Sequence, residues 1–285
     1  MSVKKSVTVV IATLGGESLA LTIERLNSGS VPPDEILICI PAENRDKVKH
    51  LHQGNVVILA CNVRGQVAQR LFGFQNASHE AVMQLDDDML LDKFCLERLL
   101  ATLNAEGFRV AVAPAFINGK TGKSAYAKPD AGRVVSSIYY WLMNGSAGYA
   151  PGCIDKSGSA VGIDPATSEK ILHDVEWLAG GCVLHLRENL VLENFWPLPG
   201  KAYYEDVVHS SILVANGIRL VIDPSARCSL ELAYQASLRP GDFYRNLKGD
   251  YLGRAYFMRR FSRRSFRTHI YYFGRILSYL FSRWK

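Results

Sequence analysis

The sequence predicts an α/β domain on a mostly parallel, mixed sheet flanked by helices, with a basic helical tail at its C-terminal end. Three observations carry this reading. Short, continuously apolar runs alternate with amphipathic stretches through the first hundred residues, the pattern of strands covered on both faces. The chain has 285 residues and is 48% hydrophobic, which is ample for one sizeable core. Finally, the formal charge of +6 is unevenly placed: residues 239–285 carry 12 Lys and Arg against 2 acids, and the rest of the chain carries 21 against 25.

The elements follow in order. VTVVIAT (7–13) reads as a buried strand, and residues 18–26 as a short amphipathic helix. After the turn SVPPD, EILICI (35–40) is a second strand, residues 44–52 a helix, and NVVILA (55–60) a third strand. Residues 66–77 read as helical and EAVMQL (80–85) as a fourth strand. A helix over 92–105 begins with Asp92 in the capping position, and RVAVAPAF (109–116) is a fifth strand. Between about 117 and 176 the periodicity dissolves into Gly, Ser, Lys, Ala and Pro, a length of irregular chain that is often functional. Order returns with EWLAGGCVLHL (176–186), a helix over 205–216 and the strand IRLVID (218–223).

The six cysteines form no CxxC pair and no zinc spacing, so they read as reduced, buried thiols of a cytosolic protein. MSVKKSVTVVIATL lacks a small-residue cleavage site and reads as the first strand rather than a leader. No run reaches the roughly 18 apolar residues of a spanning helix.

In open α/β sheets, ligands bind beyond the carboxyl ends of the strands. That rule gathers Thr13, Pro41–Glu43, Asn62–Arg64 and Asp86–Asp88 along one edge. The run MQLDDDM (83–89) places three carboxylates where a buried strand ends. They could be acids favoured at a helix start. Alternatively they hold Mg²⁺ or Mn²⁺, hard cations that take carboxylate oxygens together with substrate phosphates, so that a nucleotide diphosphate completes the shell.

An ordered set of segments resembles glycosyltransferase family 2, inverting enzymes of the GT-A fold. VTVVIATLGG resembles the family's first strand and turn, GQVAQR (65–70) its segment ending in arginine, and MQLDDDM its aspartate motif. EWLAGGCVLHLREN (176–189), YYEDVVHSSILVANGIRLVID (203–223) and DFYRNLKGDYLGRAYF (242–257) resemble its Gly-pair, Glu-Asp and tail segments. The set spans roughly 7–257 in the family's order. The resemblance implies a nucleotide-diphosphate sugar as donor, a UDP-sugar favoured, a hydroxyl of a glycan or lipid-linked molecule as acceptor, and Mn²⁺ or Mg²⁺ as cofactor.

The resemblance also implies roles. Asp206 of the Glu-Asp pair becomes the base of an in-line displacement, a role compatible with its other reading as a helix cap. The donor side comprises Thr13, Glu43, Arg70, Asp86 and Asp87. Asp88 is the direct metal ligand, with Asp86 nearer the ribose or a metal-bound water. Arg70 becomes a clamp for nucleotide or diphosphate, where alone it would be a solvated helix arginine. The acceptor side comprises Trp177, Gly180, Gly181 and Glu205, with the indole as a sugar platform or else a core aromatic. Two places depart from the family pattern. CIPAEN ends the second strand and leaves Glu43 as the acid there, and Ala226-Arg227-Cys228-Ser229 supplies no histidine after the last strand.

The tail 251–285 interleaves eleven aromatic residues with ten basic ones, His269 included. It reads as an interfacial helix on an anionic membrane surface, peripheral on the cytoplasmic face. A packing helix is the plainer alternative. Nucleic acid is not expected, because no binding motif accompanies the charge. Two rivals remain. A sugar-nucleotide-forming nucleotidyltransferase would want a basic, Gly-rich loop directly after the first strand, which ATLGGESLALTIERL does not offer. A catalytically silent membrane-associated binding protein of the same fold would have no use for Glu205-Asp206.

Overall fold

A computed structural model describes residues 5–52, 54–126, 132–165, 171–199, 201–230, 239–263 and 265–282. The strands are β1 (Val7–Ala12), β2 (Glu35–Pro41), β3 (Val56–Cys61), β4 (Ala81–Leu85), β5 (Leu90–Leu91), β6 (Val110–Asn118), β7 (His173–Val175), β8 (Cys182–Leu186) and β9 (Arg219–Leu230). They form one sheet in the order β3-β2-β1-β4-β8-β6-β9-β5, with β7 also on β9. The first four strands of that order are parallel, β8 is antiparallel to both neighbours, and β6 and β9 are again parallel. The sheet is mixed, as expected.

Alternate residues of the buried strands feed opposite faces. Val9, Ile11, Ile38, Met83 and Leu184 pack beneath α1 (Leu19–Asn27) and α3 (Cys95–Glu106). Val10, Leu37 and Cys39 meet Phe74 of α2 (Gln66–Asn76) on the other face. There Gly73 lets the helix lie flat, since a β-carbon would stand 2.3 Å from Val10 Cγ1. Further along that face, α5 (Glu205–Ala215) and α6 (Pro240–Arg260) bury Val207, Leu213 and Phe257 with Trp177 and Trp196.

Four local expectations change. Residues 42–47 and 49–51 form 3-10 turns rather than one helix over 44–52, because only Val48 and Leu51 offer apolar anchors and no stripe forms. Asp92 does not cap α3. Leu90–Leu91 pair with β9 and draw Asp92 with them, its N–H donating to Arg227 O at 3.1 Å, so the helix starts at Cys95. The strand expected to stop at Asp223 runs on to Leu230, and a register shift in its pairing with β6 absorbs Pro224–Ala226. Asp223 stabilises that bulge by accepting from Ser225 N (2.8 Å), Ser225 Oγ (2.7 Å) and Thr102 Oγ1 (2.7 Å). Within the irregular region lies α4 (Arg133–Asn144).

The basic tail is not one surface element. In α6, Phe257 is fully buried and Gly253 sits where a β-carbon would meet Tyr203 O at 2.2 Å. Arg254 is also buried, bonded to Ser159 Oγ at 2.8 Å and enclosed by the rings of Tyr204, Tyr271 and Tyr272. Of the two tail helices, it is α7 (Arg267–Ser282), packed against α4, that presents a long exposed apolar face. Among the described residues, no helix is long and apolar enough to cross a membrane. All six cysteines are free, and five are buried.

Candidate active site

The parallel strands deliver the predicted residues to one edge. Thr13 follows β1, Glu43 lies exposed in the turn after β2, and Asp86–Asp88 follow β4. The edge is stitched by Gln69 of α2, whose Nε2 donates to Thr13 O and Cys39 O, both at 2.8 Å. Thr13 Oγ1 donates to Asp87 Oδ2, and Thr22 Oγ1 donates to Asp87 O at 2.9 Å. Asp87 is therefore held against the β1 turn, where Gly16 leaves room for its carboxylate.

The antiparallel strand β8 brings Gly180 and Gly181 to the same edge. Asp86 N donates to Gly181 O at 2.9 Å, and Gln84 Nε2 donates to Gly180 O at 2.8 Å. Both glycines are places of close approach. A β-carbon on Gly180 would stand 2.9 Å from Glu205 Oε1, and one on Gly181 would stand 2.5 Å from Met89 Cε. They position the acids rather than offering open backbone.

At the centre is Arg70, which the sequence reading placed on the donor. It is 3% exposed and turned inward: Nη1 donates to Glu205 Oε1 at 2.6 Å, and Nη2 to Asp86 Oδ1 at 2.6 Å and Gly180 O at 3.2 Å, while the buried Nε has no partner among the described residues. That corrects the expectation of a donor clamp, since the guanidinium is buried and both of its terminal nitrogens donate to protein acceptors. Burial alone would lower its pKa, but Glu205 and then Asp86 hold it above the usual value. Burial raises Glu205, with Arg70 opposing. Beneath this cluster His185 and His209 face each other, ring centres 5.6 Å apart, and burial keeps both neutral.

Asp206 stands apart. It lies in the first turn of α5, its Oδ1 accepting a 2.9 Å bond from Val207 N. It does not cap the helix. That position belongs to Tyr204, which takes a left-handed φ of +73°, a strained conformation for an aromatic residue. Burial, then the neighbouring Glu205 charge, pushes the Asp206 carboxyl up to about 7.

Asp88 is exposed, yet its carboxyl is raised, first by removal from water and then by Asp86 and Asp87. Asp86 spends Oδ1 on Arg70 and on Gln66 Nε2 at 2.9 Å, leaving Oδ2 without a bond from either. Exposed carboxylate oxygens crowded by like charge suit a hard divalent cation. Among the described residues, no three His, Cys, Asp or Glu side chains come together as a metal site, so phosphate and water oxygens would complete the shell. The segment Ala226–Ser229 lies within β9, with Ala226 and Cys228 fully buried.

Trp177 is the second correction. Its indole is buried, donates to Val161 O at 3.1 Å and packs edge-on to Tyr126, so it is a core aromatic and not a platform. Sequence reading also missed residues. Gln66 and Gln69 share the buried face of α2 with Arg70, and polar residues at i, i+3 and i+4 on the inward face of a helix were the available signal. Lys201, two residues before Tyr203, exerts a favourable charge effect on Asp88.

The family model described as glycosyl transferase family 2 matches residues 8–150. Among solved structures, GalNAc-T7 with UDP, GalNAc and Mn²⁺ superposes with a TM-score of 0.59 at 19% identity, over 83% of this chain and 45% of that one. The mannosyltransferase PcManGT of Pyrobaculum calidifontis, with GDP-Man and Mn²⁺, gives 0.54 at 14% identity, over 90% and 65% of the two chains. TarS (1–349) of S. aureus with UDP-GlcNAc gives 0.50 at 14%, over 87% and 66%. The chain thus spans about half to two thirds of these structures, whose likeness establishes the GT-A type of fold. No curated protein matches the sequence. With the matched model covering half of its length, from the first strand to beyond α4, the chain belongs to glycosyl transferase family 2.

Proposed function

We propose that the chain is an inverting glycosyltransferase that moves a sugar from a nucleotide-diphosphate sugar to a hydroxyl of a glycan or lipid-linked acceptor. The observation that carries the reading is Asp206: a partly buried carboxylate whose pKa sits near 7, one residue from the Glu205–Arg70–Asp86 chain that reaches the aspartate edge. A carboxylate tuned to that value can accept a proton at neutral pH with useful driving force. The acceptor oxygen would bond to the anomeric carbon as the bond to the diphosphate oxygen breaks on the opposite face. Asp206 takes the hydroxyl proton, and the configuration inverts.

The donor lies along Thr13, Glu43 and Asp86–Asp88, with Lys201 as an added cation near Asp88. Arg70 and the two glycines set the geometry without touching it. A divalent cation on Asp88, Mn²⁺ or Mg²⁺, supplies charge neutralisation for the leaving diphosphate. A UDP-sugar is favoured as donor, in keeping with the UDP-containing ligands of two of the three similar structures. In this reading residues 1–238 together with α6, which packs into their core, are the catalytic part, and the tail beyond α6 associates with the cytoplasmic surface of a membrane during cell-surface polysaccharide synthesis. A panel of labelled nucleotide sugars turned over with Mn²⁺, with the product anomer assigned by NMR, tests it. Retention of configuration contradicts the single displacement.

A further inference from the structure

The helix α4 was unassigned in the sequence pattern, and the structure pairs it with α7. On α7, Phe273, Ile276, Leu277, Leu280 and Phe281 are exposed at i, i+3, i+4, i+7 and i+8, a full apolar stripe. Stripes of that kind normally face a core. Here the opposite face already does: Tyr272 Oη donates to Asp250 Oδ2 at 2.5 Å, Tyr279 stacks on Phe243 with centroids 3.7 Å apart, and Thr268 Oγ1 donates to Ser157 O at 2.8 Å. On α4, Val134, Val135, Ile138 and Trp141 are exposed, whereas Ser136, Met143 and Asn144 are buried. The helices join where Arg267 Nη1 donates to Trp141 O at 2.9 Å, at the C-terminal end of α4.

Charge identifies what covers these stripes. The sequence has no Asp or Glu from Arg133 to Asn144 or after Asp250, and Arg259 in the last turn of α6 and Arg263 just beyond it stand exposed. A second copy would bring the same cations against each other. An anionic leaflet meets them with phosphates and accepts the aromatic and aliphatic side chains at its headgroup boundary. We propose that α4 and α7 together form a bilayer-docking face that lies along an anionic membrane, while α6 belongs to the core. This deepens the membrane part of the reading above and rests on it, and it does not depend on the chemistry at Asp206.

The test uses the full chain in sedimentation with phosphatidylcholine vesicles, with and without phosphatidylglycerol. The pairs Ile138→Glu/Trp141→Glu and Phe273→Glu/Phe281→Glu should each lower partition onto anionic vesicles by about tenfold or more. Donor hydrolysis in solution and the far-UV circular dichroism should not change. Brominated lipid should quench the fluorescence of the unmodified chain more than that of Trp141→Phe, a readout that needs no charged substitution. Unchanged binding by the α4 pair, or equal quenching with and without Trp141, overturns the two-helix face and leaves the tail reading standing. No binding of the unmodified chain to either vesicle overturns both. Self-association without lipid binding, abolished by these pairs, assigns the face to a second copy and overturns the proposal.

Discussion

Two acidic groups meet at the candidate site and differ in almost everything but their chemistry. Asp86 and Asp87, at the end of β4, are surrounded by donors: Arg70 and Gln66 on one, Thr13 on the other. Asp206, at the start of α5, is served by short-range backbone N–H groups such as that of Val207 and sits where burial raises its carboxyl to about 7. The contrast teaches that a carboxylate's role is set by its partners. Donor-rich acids are held still and suit anchoring, whereas a donor-poor, partly dry acid suits proton transfer. Arg70 creates the difference, since its guanidinium serves Asp86 and Glu205 and is not bonded to Asp206.

The most forceful way to break the contrast is to remove Arg70. Arg70→Met leaves Glu205 buried with its cation gone, which should destabilise the fold by about 3–5 kcal/mol. Urea denaturation reads this, and adding Glu205→Gln should recover a large part. A loss under about 1 kcal/mol would mean that the buried pair holds nothing. Asp206→Asn comes next. It keeps shape but not basicity, and kcat should fall on the order of 10²-fold or more with donor affinity nearly intact. For the unmodified chain, kcat/KM should rise with pH and level off above about 7, as the carboxylate empties of its proton. A flat profile through that range would remove Asp206 from the role of base.

Asp88→Ala sharpens the other side of the comparison. Calorimetric donor binding should lose its response to Mn²⁺, a drop of about tenfold or more, and come to equal that of the unmodified chain in EDTA. Undiminished activity of Asp88→Ala in EDTA would sink the metal assignment.

The two halves of the site were unequally legible in the sequence. Thr13 and Asp86–Asp88 could be placed because continuous apolar strands end at them, and a parallel sheet aligns those ends. Glu205-Asp206 depended on a motif, since nothing in their own neighbourhood tells that α5 points at β4. Arg70 reads as a donor clamp from the motif alone, and only its neighbours Gln66 and Gln69 on the same inward face signal that its guanidinium turns into the protein. Trp177 was ambiguous for a similar reason: an indole fits a core or a sugar, and only Tyr126 and Val161 decide. The reach of β9 past Asp223-Pro224 was hidden because proline normally ends a ladder, and the bulge that admits it is a tertiary feature.

The smallest expected effect is on stability, and it tests the cause of the raised carboxyl directly. In the unfolded chain Asp206 titrates near the ordinary carboxylate value of about 4. In the fold its pKa is about 7, so the folded state binds its proton more tightly than the unfolded one. A raised folded value means that this contribution to stability is complete below about pH 4 and is lost as pH rises towards about 7. Asp206→Asn stays neutral throughout and loses nothing in that window. The variant should therefore gain on the unmodified chain between pH 4 and 7, by about 1–2 kcal/mol once the partial access of water to Asp206 is allowed for. Denaturation midpoints of the two proteins across that range give the difference. A gap that stays constant with pH would show that Asp206 is not held above its ordinary value, and that the contrast with Asp86 and Asp87 lies in geometry alone.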